Sequence, residues 1–286
     1  MQRLRITHLT EYQFAVPVQL GAHRLMLCPR EGHDVHIEQS SLVIAPAHRL
    51  RWQRDTVDNI VAVATFDDIP AHALAITSEV LIQQFDVAPL DFLVDEYAVN
   101  HPFAYAAHEY AELLPFLQPL YPAEQGAVRD WLGGLGLLGR SFETFVLLDT
   151  LNRAIARHFE YRMREEPGVQ SPAQTLARRS GSCRDYATLF IEACRGLGLA
   201  SRFVSGYLHN PGADSGPSST HAWAEVYLPG PGWKGFDQTG GVLVGADHIP
   251  VSVARHPETV PPVAGSYFGP ADPPPLLAVD VHVVRV

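Results

Sequence analysis

The sequence predicts an α+β protein: an amino-terminal antiparallel β-sandwich, then a region where helices lead into a second antiparallel sheet. Three observations carry that reading. Short β-rich runs separated by Pro and Gly fill roughly the first 85 residues. Helical periodicity replaces them between residues 123 and 197. Strand patterns return after residue 202 and close the chain.

The elements follow in order. Leu4, Ile6 and His8 alternate with Arg5, Thr7 and Leu9, the period of a strand. Residues 34–45 form a second β-rich run. Residues 50–55 and 60–66 flank Asp58-Asn59, a hairpin signal, and 74–85 adds another strand. His8, His23 and His33 are too scattered to read as metal ligands. The predicted boundaries are 1–86 for this β domain, 87–122 for a connector and 123–286 for the core with its carboxyl-terminal strand. The connector holds five prolines but also Phe92, Tyr97, Phe103, Tyr105 and Tyr110, so it is expected to pack.

A short helix over 123–132 ends at Gly133-Gly134, and 145–161 carries Leu147, Leu148, Leu151, Ile155 and Phe159 near helical spacing. Ser171-Pro172-Ala173-Gln174 starts a helix with a capping box and Pro at its first position. The next helix opens at Cys183, with Tyr186, Leu189, Phe190, Ala193, Cys194 and Leu197 on one apolar face. Strands are predicted over 202–208, 221–228, 233–237 and 277–286.

Composition narrows the function. Against 31 acidic residues stand 21 basic ones, a formal net charge of −10, and there is no basic run. Such a chain is a poor partner for phosphate backbones, so no nucleic acid is expected. Lys234 is the sole lysine, which excludes a catalytic lysine elsewhere. No stretch nears the roughly 18 apolar residues of a membrane helix, and the opening residues carry no apolar leader. The expected location is therefore cytoplasmic, with no membrane partner. The three cysteines form no Cys-x-x-Cys pair. Cys183 and Cys194, eleven helical residues and roughly 16 Å apart, are expected to stay reduced.

The chemistry concentrates between Gly181 and Gly241. A thiol opening a helix faces unpaired N–H groups and the positive end of the dipole, both of which favour the thiolate nucleophile. Cys183 is thus expected to alkylate faster than Cys28 and Cys194. A nucleophilic cysteine needs a base, and the base an orienter. His221 opens one strand and Asp237 closes the next.

Gly181-Ser182-Cys183-Arg184-Asp185-Tyr186-Ala187, then Gly206-Tyr207, then His221-Ala222-Trp223-Ala224-Glu225-Val226-Tyr227, then Gly235-Phe236-Asp237-Gln238-Thr239-Gly240-Gly241 resembles the core of the bacterial transglutaminase-like superfamily. The run through Tyr12, Pro17-Val18 and Leu27-Cys28-Pro29-Arg30 resembles the β domain that precedes it. The resemblance implies a papain-like core with a helix-borne Cys packed on an antiparallel sheet. It also implies Cys183 as nucleophile, His221 as base and acid, and Asp237 as the orienter of His221. Gln238 stands where the family usually has proline. Arg255 is followed by His256-Pro257 rather than the Asp-Tyr of many bacterial members.

These residue types make a cysteine-dependent acyl-transfer enzyme acting on a peptide or carboxamide substrate through a thioester, with no cofactor. The Cys183 backbone N–H is one oxyanion donor, and Tyr161 and Trp223 are candidates for substrate binding or the second donor. Hydrolysis is favoured over crosslinking because no acidic loop has calcium-ligand spacing. Two other readings stand beside it. One is a non-catalytic binding or scaffold protein that keeps the fold. The other is a zinc site from Cys183, His221 and Asp237.

A geometric test follows from the hairpin. A symmetric turn pairing Leu228 with Trp233 would set Asp237 opposite Ala224, on the face away from His221. A working triad therefore predicts a pairing offset by an odd number of residues, through a bulge or an asymmetric turn at 229–232. It also predicts an Asp237–His221 hydrogen bond of roughly 2.6–3.2 Å.

Overall fold

The computed structural model describes residues 1–85, 90–164, 166–210, 220–270 and 272–286. The expected boundary after residue 86 lies outside the described residues.

The amino-terminal sheet is built around one strand. β1 (Gln2–Leu25) pairs through its first half with β5 (Ala71–Gln84), and its register shifts between Gln13 and Val18. Its second half pairs with β4 (Ile60–Phe66). β2 (Val35–Ala45) flanks β5, and β3 (His48–Arg54) flanks β4. The two halves fold over one core that holds Val18, Leu20, Leu25, Ile44, Ala64, Leu74 and Ile76. The sequence marks only the start of β1 as a strand, because Pro17 and Gly21 break the alternation. Pro17 falls inside the register shift, where no ladder donor is required.

Next, β6 (Asn100–His101) pairs with β7 (Phe142–Glu143), and α1 (Ala107–Leu117) and α2 (Gln125–Gly134) lie between them in sequence. Pro115 sits inside α1, which is why that helix is hidden in the sequence. The connector aromatics do pack: the Tyr105 hydroxyl donates to the Tyr227 carbonyl at 2.9 Å and accepts from the Ala200 N–H at 3.0 Å.

α3 (Thr144–His158) leads to β8 (Glu160–Tyr161), which lies parallel to β9 (Ser180–Gly181). α4 (Pro172–Arg178) comes between them, with the Ser171–Gln174 capping box formed and the left-handed Arg179 ending it. α5 (Cys183–Gly196) follows. β10 (Ser201–Leu208), β11 (Thr220–Leu228), β12 (Gly232–Asp237), β13 (Val242–Leu243) and β14 (His248–Ala254) form the second sheet, in the order β13-β12-β11-β10-β14. β15 (Val263–Phe268) and β16 (Leu276–Arg285) then return to pair with β1, so the chain's end completes the amino-terminal sheet.

α5 is not the one-faced helix its periodicity suggests. It is buried almost all round, Asp185, Glu192 and Arg195 included. These charges are tolerated because each is bonded. Glu192 accepts the Leu120 and Tyr121 N–H groups and pairs with Arg195 at 2.9 Å. Arg195 donates to the Phe116, Ser201 and Arg255 carbonyls. The apolar sides meet β11, β10 and α2, which packs α5 against the sheet.

Candidate functional site

The start of α5 is fixed by one carboxylate. Asp185, fully buried, accepts from the Ser182 N–H at 2.8 Å and its hydroxyl at 3.0 Å. It accepts the Gln170 N–H at 2.7 Å and pairs with Arg164 at 2.8 Å. Burial alone would raise its pKa, but the donors on Ser182, Gln170 and Arg164 outweigh it and keep Asp185 below the usual carboxylate range. The result is a rigid collar around the residue before Cys183. Asp185→Ala strands those donors and the Arg164 charge. It should cost about 3–5 kcal/mol, read from urea unfolding. A loss under about 1 kcal/mol would show that the collar is slack.

β8 approaches the same point. Tyr161 pairs with Gly181, which places it beside Cys183 in the lining of one cleft. Burial first, then Cys183, pushes the Tyr161 hydroxyl up to about 12, so it stays a proton donor.

His221 and Asp237 meet through an offset hairpin. Tyr227 faces Trp233, Leu228 faces Gly232, and Ala224 faces Phe236. Only Pro229, Gly230 and Pro231 lie between the strands. Gly230 and Gly232 have φ of 97° and 75°, left-handed values that suit glycine. The Pro229 carbonyl accepts the Asp95 N–H at 2.9 Å, which pins the turn to the connector. This register is one residue away from the symmetric pairing. It sets Asp237 across from Trp223, on the same face as His221. The Asp237 Oδ2 lies 2.9 Å from the His221 Nε2, and His221 and Cys183 line the same cleft. With Nε2 committed to Asp237, Nδ1 is the nitrogen left for the sulfur.

The three groups are buried, and the His221 and Asp237 charges support one another. Burial, the largest influence, would lower the His221 pKa. Asp237 and Cys183 outweigh it and raise the group to about 10. Asp237 is held far below the usual carboxylate range. Burial opposes that shift, and the hydrogen bonds from His221 and His248 overcome it.

Cys183 and His221 open onto a cleft of about 430 Å³. The amino-terminal sheet supplies one wall through Thr10, Tyr12, Leu277 and Val279, and Phe203 and Val260 add apolar surface from the core. His8 also faces it, with both ring nitrogens occupied by the Tyr207 hydroxyl at 3.0 Å and Thr10 at 3.1 Å. Burial lowers its pKa to about 4, so it is neutral.

Trp223 is not in the cleft wall. It is fully buried, and its ring meets His248 edge-on at 5.3 Å. Gly206 makes room for it: a β-carbon there would strike the Ile249 carbonyl and the indole. Gln238, in the place of the usual proline, is buried and donates to the Phe236 carbonyl at 2.7 Å, closing the turn after Asp237 by a hydrogen bond. Arg255 donates to the Pro115 and Gln118 carbonyls at the end of α1, a structural tie. Cys28 and Cys194 lie elsewhere, and burial pushes both thiols up. All three cysteines are free thiols.

The sequence missed His248. His221, Asp237 and His248 offer ligand-type atoms within 4.8 Å of one another. The His248 Nε2 lies 3.1 Å from the same Asp237 Oδ2, and its Nδ1 accepts the Gly245 N–H. Its Nε2 is therefore the nitrogen that donates to the carboxylate, and Asp237 links the two imidazoles by hydrogen bonds.

The comparisons agree with this architecture. Residues 146–238 match the transglutaminase-like superfamily, and residues 4–83 match the bacterial transglutaminase-like N-terminal region. The uncharacterized protein Rv2569c of Mycobacterium tuberculosis is 32% identical over 280 residues, covering 93% of this chain and 88% of its own. The uncharacterized protein ML0607 of Mycobacterium leprae is 25% identical over 277 residues, covering 94% of each. The crystal structure of a candidate cysteine protease from Cytophaga hutchinsonii shares the fold with a TM-score of 0.72. It is 18% identical, covering all of this chain and 91% of its own.

The expected cytoplasmic location is withdrawn. A polar amino terminus does not by itself fix a compartment. Among the described residues, no helix is long and apolar enough to cross a membrane. Two matched segments in the right order, a mycobacterial relative along nearly the whole length and a shared fold lead to one assignment: the chain belongs to the bacterial transglutaminase-like superfamily.

Proposed function

We propose that this protein is a cysteine-dependent acyl-transfer enzyme that hydrolyses peptide or carboxamide bonds. The observation that carries the reading is the one-residue hairpin offset. It turns Asp237 toward His221, beside a thiol at a helix start, on an open cleft. A purely structural hairpin has no need of that face.

In this reading the Cys183 sulfur attacks the carbonyl carbon and forms a C–S bond. The oxyanion is met by the Cys183 backbone N–H and by the Tyr161 hydroxyl. His221 delivers its proton to the leaving nitrogen as the C–N bond breaks. Water, deprotonated by His221, then attacks the thioester. The C–S bond breaks, and the acid and the thiol are released. Trp223 contributes by packing behind His221. The mostly apolar cleft walls suit an uncharged side chain next to the scissile amide.

The test is the intact mass of the protein after incubation with a library of peptides and amides. An acyl adduct on Cys183, absent from Cys183→Ala, is the expected result. Iodoacetamide should label Cys183 well ahead of Cys28 and Cys194 at neutral pH. Equal labelling of all three, with no adduct, would remove the catalytic reading and leave a fold kept for binding.

A further inference from the structure

We propose that His248 is a positioning residue of this site, holding the Asp237 carboxylate from the interior while His221 meets it from the cleft. The inference rests on the proposed role of Cys183 and His221.

The geometry supplies three constraints. Both imidazoles address one oxygen, Asp237 Oδ2, at 2.9 and 3.1 Å. The other oxygen, Oδ1, accepts the Thr239 N–H at 2.8 Å. The carboxylate plane is therefore fixed at both ends, and it cannot rotate Oδ2 away from His221 without losing two other donors. The third constraint is the state of His248 itself. Its Nδ1 accepts the Gly245 N–H at 3.3 Å, so that nitrogen presents a lone pair and Nε2 is the one that donates to the carboxylate. An N–H donor at this place steadies the negative charge on Asp237. The backbone at residue 245 thus sets which nitrogen of His248 faces the carboxylate.

The surroundings fit a positioning role. His248 is 6% exposed and does not line the cleft. It begins β14, where Leu208 pairs with it, and the edge of the Trp223 ring closes its other side at 5.3 Å. Two residues of β11, His221 and Trp223, therefore act on one β12 carboxylate, His221 directly and Trp223 through a residue of β14. A purely space-filling side chain would satisfy the Trp223 contact alone. The hydrogen bonds on both ring nitrogens are what packing does not require.

The test combines a measurement on the unaltered protein with two substitutions. Nitrogen NMR of the wild-type imidazoles should show His248 protonated on Nε2 and bare on Nδ1. A proton on Nδ1 would overturn the proposal, and this readout does not depend on any variant folding. His248→Phe keeps an aromatic ring beside Trp223 and removes the donor. His248→Gln places an amide N–H at similar reach. The readout is the rate of Cys183 alkylation by iodoacetamide across pH, which needs no substrate. His248→Phe should slow it by about tenfold or more at neutral pH and move the profile, since a hydrogen bond to a charged group is lost. His248→Gln should return it to within about threefold of wild type.

His221→Ala is the control that separates the two readings. If it slows alkylation while His248→Phe matches wild type in rate and profile, the positioning role fails and the reading of the site survives. If His221→Ala also matches wild type, both fail.

Discussion

Replacing His221 with Ala is expected to remove turnover almost completely, by roughly 10³-fold or more in kcat/KM. In the proposed mechanism the imidazole serves both halves of the cycle, as the acid that releases the amine and as the base that activates water. Its loss also leaves Cys183 without the partner that favours the thiolate. The variant should fold, because a smaller side chain at the cleft edge removes no ladder hydrogen bond from β11. Two assays check this: steady-state hydrolysis of whichever substrate the acyl-trapping experiment identifies, and thermal unfolding. Activity within tenfold of wild type would reject His221 as the base.

Asp237→Asn is expected to cost about 10³–10⁴-fold while the fold persists. The reason lies in the donors already around the carboxylate. Oδ2 faces the Nε2 groups of His221 and His248, and Oδ1 faces the Thr239 N–H. An amide presents an N–H group to one of these sides, where a donor then meets a donor. His221 can relieve the clash only by moving its proton to Nδ1, which puts a proton in place of the lone pair on the nitrogen left for Cys183. The defect should appear in kcat, with KM little changed.

Asp237→Asn also carries a pH signature. The Asp237 pKa is lowered in the fold, so its stabilisation is present above its ordinary value of 3.8 and is lost as pH falls through the folded value. The His221 pKa is raised, so its stabilisation is complete below 6.5 and is lost as pH rises toward about 10. The stability gap between wild type and Asp237→Asn should therefore be widest between about pH 4 and 6.5. It should narrow in acid and in alkali. A gap independent of pH would mean the pair adds no charge interaction to folding.

Much of the candidate site could be read before any coordinates. Cys183 at a helix start, His221 opening a strand and Asp237 closing the next are local features, each marked by its neighbours. The Ser171–Gln174 capping box is local in the same way, since its bonds join residues three apart. Even the hairpin offset could be derived as a requirement, because side chains alternate with period 2 and a one-residue slip reverses every face. The amphipathic reading of α5 went astray at Asp185, Glu192 and Arg195. Their polarity marks them as surface, whereas their partners lie in distant segments that no helical period reveals.

By itself, then, the sequence determined the β-then-α order of the fold, the caps and the helix bearing Cys183, and it named the three side chains proposed for the site. Tertiary structure alone decided that β1 serves two halves of one sheet and that β16 returns to pair with it, carrying Leu277 and Val279 to the cleft. It alone set the three-residue turn that gives Asp237 its face, and it alone brought His248 to that carboxylate through the pairing of β14 with β10. The division has one physical cause. Propensity, capping and periodicity act over a few residues and leave their mark in neighbouring letters. Strand pairing and buried charge join residues far apart in the chain, and the partner is chosen by hydrogen bonding and burial in the folded state.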